Sequence, residues 1–141
     1  MMSIKIVIDT SVFISALIGQ TGASREVIRR CLKKEYTSLM GNALFCEYES
    51  VMNRTEILNQ CPLEKTEVIS LFSALISVSE WVHIYYSWRP NLRDEGDNHL
   101  IELAIAGNAS SIVTNNIKDF KNTTLLFPNL SILKPEEILR S

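Results

Sequence analysis

The stretch Arg93–Ala104 reads RDEGDNHLIELA, with Asp94, Glu95 and Asp97 inside four positions and an apolar run directly after them. Acids crowded at the mouth of an apolar helix form either a solvated turn or part of a cation site, and the choice depends on where the side chains point. Stepping about 100° per residue, Leu100, Ile101, Ala104 and Ile105 form a stripe whose centre line carries Asp97, while His99 and Glu102 fall on the outer side. Asp97 thus opens the inward-facing line of its own helix, and Glu95 reads as a solvated turn residue. Two more carboxylates come from distant segments. Asp9 closes the apolar run IKIVID, and Glu47 borders the stripe Leu44, Tyr48, Val51 and Met52 in NALFCEYESVMNR, with Arg54 further down the same edge. Three such carboxylates sharing one crevice must either take up protons or bind cations, because like charges repel and lose hydration. Oxygen ligands alone suit the hard ions Mg2+ and Mn2+. Zinc is not favoured: His83 reads as a mid-strand residue and His99 as a solvated one.

Positioning these acids requires a fold, and the chain alternates strand and helix patterns. IKIVID is short, β-branched and apolar on both faces, the pattern of a central parallel strand. TSVFISALIG then reads as a helix stopping near Gly19. A second helix runs from Ala23 to Lys34 with Ser24 as its N-cap, and a weak strand covers 37–41. Asn42 caps a helix to about Arg54, a loop surrounds Cys61 and Pro62, and a further helix spans Glu64 to about Ser77. WVHIYY, residues 81–86, reads as a strand, and a loop broken by Pro90 and Gly96 follows. A helix from Asp97 to Gly107, a strand at 110–114, the polar loop NNIKDFKN, an edge strand LSIL and a short terminal helix complete the chain. The alternation predicts an α/β fold, a three-layer α/β/α sandwich around a mainly parallel sheet, as one domain over residues 1–141. Ligands in such sheets bind beyond the carboxyl ends of the strands. Asp9 and the residues Thr114, Asn115 and Asn116 belong to that rim.

Composition limits the partners. The net charge of −2 gives no global attraction to a polyanion, so one must be held locally. The candidates are Arg29, Arg30, Lys33 and Lys34, then Arg54, the Arg89/Arg93 pair, and Lys118 with Lys121. No apolar run reaches the roughly 18 residues that span a bilayer. The start, MMSIKIVID, meets Asp9 too soon for a secretory signal, so a cytoplasmic location is expected. Cys31, Cys46 and Cys61 show no CxxC spacing and are expected to be reduced thiols.

IVIDTSVFISAL, EYESVMNR and RDEGDNHLIELAIAGNASSIVTNNIKDF, in that order and spacing, resemble the PIN-domain family, and within it the bacterial toxin branch of VapC-like ribonucleases. The third block is the most specific. The resemblance implies a Rossmann-like fold and a Mg2+ or Mn2+-dependent endoribonuclease that hydrolyses RNA phosphodiester bonds as the toxin of a toxin–antitoxin system. It also implies an antitoxin partner and a homodimer. The family's catalytic, metal-binding acids map onto Asp9, Glu47 and Asp97. Its fourth acidic position reads Asn116, which carries no charge and so weakens the case for a second ion, with Asp119 as a substitute three residues on. Asp94, Ser11 and Thr114 match auxiliary positions. Arg54, Arg93 and Lys118 are expected to hold flanking phosphates of the RNA. Trp88 either stacks an unpaired base or packs under its loop. Apolar exposure on VFISALIG is expected to suit the homodimer or the antitoxin. Two alternatives accompany this reading. One is a catalytically silent PIN-like module that binds RNA or protein, motivated by Asn116. The other is a receiver-like phosphoryl-transfer domain with Asp9 as nucleophile, opposed by the lack of a glycine-rich phosphate loop and of paired acids at the first strand.

Overall fold

Strand β1 (Ile4–Ile8) runs through the middle of the computed structural model, which describes residues 3–19, 22–84, 98–120 and 127–140. Ile6, Val7 and Ile8 are fully buried although successive side chains point to opposite faces, so β1 is covered on both sides, as its unbroken apolar run requires. The other strands are β2 (Tyr36–Met40), β3 (Glu80–Trp81), β4 (Ser111–Val113) and β5 (Ser131–Leu133), in the spatial order β3-β2-β1-β4-β5 with every pairing parallel. The helices are α1 (Thr10–Ile18), α2 (Gly22–Leu32), α3 (Asn42–Met52), α4 (Thr55–Gln60), α5 (Lys65–Val78), α6 (Asn98–Ala106) and α7 (Pro135–Leu139). Helix α6 packs on β1, β2 and β4, whereas α2 packs with α1, α5 and α7. The order of strands explains the two layers. Right-handed crossovers from β1 to β2 to β3 put their helices on one face, and the return past β1 to β4 puts α6 on the other. The expected α/β/α sandwich is the observed fold.

Several expected details differ. The third strand, expected over 81–86, is Glu80–Trp81 at the sheet edge among the described residues, with Tyr85 and Tyr86 outside them; Val82 N–H still donates to Met40 O at 2.8 Å, and His83 lies outside the strand. Ser24 is fully buried inside α2 rather than capping it. Gly41, not Asn42, occupies the N-cap of α3. Helix α4 fills a stretch to which the sequence assigned no element. The polar loop NNIKDFKN contains a 3-10 turn, Ile117–Phe120, that buries Phe120 in the core. Val12, Phe13, Ala16 and Leu17 are buried, so most of the apolar face of VFISALIG is core, with Ile14 and Ile18 half-buried. Phe13 packs edge-on to Tyr48 at 5.0 Å between ring centres, and Tyr48 stacks on Phe72 at 5.5 Å. Among the described residues no helix is long and apolar enough to cross a membrane.

Candidate active site

The sheet order reverses direction between β1 and β4, and in open parallel sheets the crevice beyond the strand ends at that point is where ligands bind. The register aligns Ile8 with Val113, so the next residues, Asp9 and Thr114, emerge side by side. Asp9 N–H extends the ladder to Val113 O at 2.9 Å. Beneath them, the Tyr48 hydroxyl donates to Ile8 O at 2.8 Å. Burial pushes the Tyr48 phenol well above its usual value, with the Asp9 charge adding to the effect.

Asp9 is 6% exposed and sits at the N-cap of α1 without making a side-chain cap. Its carboxylate is met by hydroxyls instead. Thr114 Oγ1 donates to Asp9 Oδ2 at 2.7 Å and Ser11 Oγ donates to the same oxygen at 3.0 Å. Those hydroxyls are themselves aimed: Asn116 N–H donates to Thr114 Oγ1 at 2.9 Å, and Asn115 N–H donates to Ser11 Oγ at 3.1 Å. With backbone donors on their lone pairs, both hydroxyl protons point at the carboxylate. The Asn115 amide ties this segment to α1 through Ser11 O and Ser15 Oγ. Among the described residues, Asp9 Oδ1 meets only a 3.5 Å contact from Thr10 Oγ1. Thr10 has one proton, and the 2.9 Å bond to Glu47 Oε1 takes it.

Glu47 extends from α3 with its side chain 36% exposed. Its second oxygen, Oε2, lies 2.7 Å from His99 Nε2 on the first turn of α6. This hydrogen bond is the largest influence holding the Glu47 carboxyl below its usual range; burial opposes it, while the Thr10 hydroxyl and the charges of His99 and Arg54 assist. The Thr10 hydroxyl therefore lies between two carboxylates, Asp9 at the end of β1 and Glu47 from α3. Asp97, Asp94, Arg93, Arg89, Trp88 and Lys121 lie outside the described residues. Asn116 and Asp119 are exposed, as are Arg54 and Lys118. Arg29 and Arg30 are engaged by Glu26, and Arg30 also by Tyr36, which is the arrangement of an ordinary solvated helix face.

Two site residues escaped the sequence reading. Thr10 looked like the first helical residue and nothing more. His99 was assigned to the outer side of its helix, yet its side chain is only 20% exposed and faces Glu47. The cause is the apolar stripe: Ile105 is 43% exposed while Leu103 is buried. Replacing Ile105 by Leu103 rotates the buried face toward His99. Glu102 is half-buried rather than outward, with Oε1 enclosed and without a hydrogen-bond partner among the described residues. All three cysteines are free thiols, as expected, with Cys31 buried and Cys46 exposed.

The donor set suits a hard cation. Asp9 is a buried carboxylate, and among the described residues no Lys, Arg or His pairs with it. Its Oδ1 has capacity left, and the atoms around it are oxygens. Among the described residues no three His, Cys, Asp or Glu side chains group around one point, so a complete shell requires ligands beyond them.

The PIN domain model matches residues 5–118. The comparison with curated proteins gave no match. Among solved structures, the chain resembles the crystal structure of VapBC2 from Rickettsia felis bound to a DNA fragment from their promoter. The likeness has a TM-score of 0.56 at 16% identity and spans 93% of this chain and 98% of that one; at this identity it is a likeness of fold. The family match covers most of the sequence and both carboxylates at the strand rim, and the chain belongs to the PIN-domain family.

Proposed function

We propose that this protein is a divalent-metal-dependent ribonuclease that hydrolyses RNA phosphodiester bonds, and that it is the toxin of a bacterial toxin–antitoxin pair. The observation that carries the reading is Asp9: a buried carboxylate at the switch point, oriented by hydroxyls and lacking a cationic partner among the described residues. A charge so enclosed calls for a counter-charge, and oxygen donors select Mg2+ or Mn2+. In this reading Asp9, Glu47 and Asp97 hold the ion. Asn116 is a further ligand, and Asp94, Asp119, Ser11 and Thr114 are auxiliary. A bound ion of this class supplies a polarised water and stabilises charge on the reacting phosphoryl group. The chain does the rest: Ser11 and Thr114 hold Asp9 in a fixed orientation, Thr10 holds Glu47 beside it, and Arg54, Arg93 and Lys118 hold the phosphates on either side.

The chain resembles VapBC2, crystallised bound to a DNA fragment from their promoter, and in this reading a small antitoxin is the partner and the protein acts as a homodimer in the cytoplasm. A short neighbouring reading frame whose product co-purifies with this chain is the expected finding. The test of the chemistry uses purified protein and single-stranded RNA. Asp9→Asn abolishes cleavage with the melting temperature retained, EDTA stops the wild-type reaction, and Mn2+ restores it. Equal cleavage by mutant and wild type, or cleavage in excess chelator, removes the assignment. Asn116 favours one second reading, a PIN module that binds RNA without cutting it, because that rim position is neutral and its backbone N–H is committed to Thr114. RNA affinity without calorimetric metal binding is the result that selects it. Membership of the PIN family sets the receiver-like reading aside.

A further inference from the structure

His99 has no part in the reading above, yet the structure engages it directly. Its Nε2 lies 2.7 Å from Glu47 Oε2, and its other ring nitrogen, Nδ1, is buried and has no hydrogen-bond partner among the described residues. In the neutral ring these facts select the tautomer. A proton on Nδ1 would be an enclosed donor with no acceptor among the described residues, and Nε2 would turn a lone pair toward a carboxylate. The proton therefore sits on Nε2 and is donated to Glu47. Glu47 is then held at both oxygens, Oε2 by His99 from α6 and Oε1 by Thr10 from α1. Helix α3 alone does not fix this carboxylate, because a half-exposed glutamate has free torsions and water as an alternative partner.

We propose that His99 is a positioning residue: by occupying Oε2 it sets the rotation of the Glu47 carboxylate, so that Oε1, the oxygen turned toward Thr10 and Asp9, is the one offered to a cation. The inference rests on the metal-dependent reading above. It places one hydrogen-bonding histidine behind a ligand carboxylate, the kind of support whose loss costs about 10- to 100-fold in metal affinity. It also makes α6 part of the site before any ligand that precedes it is considered.

The test is Mn2+ titration of the full chain followed by electron paramagnetic resonance, with thermal melts of the metal-free proteins. His99→Leu fills similar space without a donor, and His99→Gln puts an amide N–H at nearly the reach of Nε2. Wild type binds Mn2+ and Asp9→Asn does not. His99→Leu binds about tenfold more weakly or worse, and His99→Gln recovers most of the affinity. Wild-type affinity in His99→Leu overturns the positioning role while leaving the metal reading in place, and so does a glutamine variant no better than leucine, which would mark the ring as packing only. No Mn2+ binding by wild type, or equal binding by Asp9→Asn, overturns the metal reading and the positioning role together. Should His99→Leu fail to fold, His99→Asn, whose amide stops short of Oε2, replaces it with the same criteria.

Discussion

Asp9 occupies the N-cap of α1 and caps nothing. An aspartate there normally accepts an N–H of the first turn, but this carboxylate is turned to hydroxyls, with one oxygen nearly free among the described residues. Thr10 is the hinge between it and Glu47. Thr10→Val keeps the shape and removes the bond to Glu47 Oε1. Hydrogen bonds to charged groups contribute about 1.5–3 kcal/mol, and the exposure of Glu47 reduces this, so a loss of about 1 kcal/mol in urea unfolding is expected. Thiol labelling probes burial at the same scale: Cys46 reacts with a thiol reagent in the native protein, and Cys31 reacts only after urea unfolds it. Asp9 and Thr114 were legible from the sequence because both end an apolar strand run. Thr10 was not, since its role is defined only by Glu47 across 37 positions.

The element that most changes the picture is α6. Its sequence offers two overlapping stripes, one ending on Ile105 and one on Leu103, and amphipathic periodicity does not choose between them. The sheet chooses. Leu100, Ile101, Leu103 and Ala104 are buried, and His99 comes to the border with α3. The end of α6 shows how closely it is pressed: a Cβ at Gly107 would lie 2.4 Å from Leu39 Cδ1 and 3.0 Å from Val82 Cγ2. Leu39 is fully buried in β2, so the side chain has little room to yield. Gly107→Ala is expected to destabilise by about 1–3 kcal/mol, the usual penalty for overpacking, read as a lower urea midpoint. Glu102→Gln behaves oppositely. It replaces a carboxylate whose Oε1 is enclosed and unpartnered with a neutral amide, so stability is unchanged or higher and RNA cleavage stays near wild type. A marked loss of either would show that Glu102 has a partner beyond the described residues.

At the scale of the whole molecule, burial also sets the response to alkali. Cys31 is 1% exposed, and burial pushes its thiol up to about 12 from an unfolded value near 8.5. Between those values the unfolded chain releases a proton that the folded chain keeps, so stability falls as pH rises through this window. By pH 10 the loss from Cys31 is on the order of 2 kcal/mol, and the Tyr48 phenol adds to it above about 10. Urea midpoints measured at pH 7.5, 9 and 10 should decline, and Cys31→Ala should decline less steeply whatever its starting stability. A slope identical to wild type would show that the thiol does not contribute. The alternation of apolar runs and amphipathic stretches determined by itself that this chain forms a parallel sheet covered on both faces, with β1 central and Asp9 at its carboxyl end, because strand and helix periods are local properties of the side-chain pattern. Only the tertiary structure decided that Thr10 joins two carboxylates, that His99 rather than solvent meets Glu47, and that the apolar face of α1 belongs to the core. Those contacts depend on the rotation of one helix against another, and that rotation is fixed by packing between segments far apart in the chain.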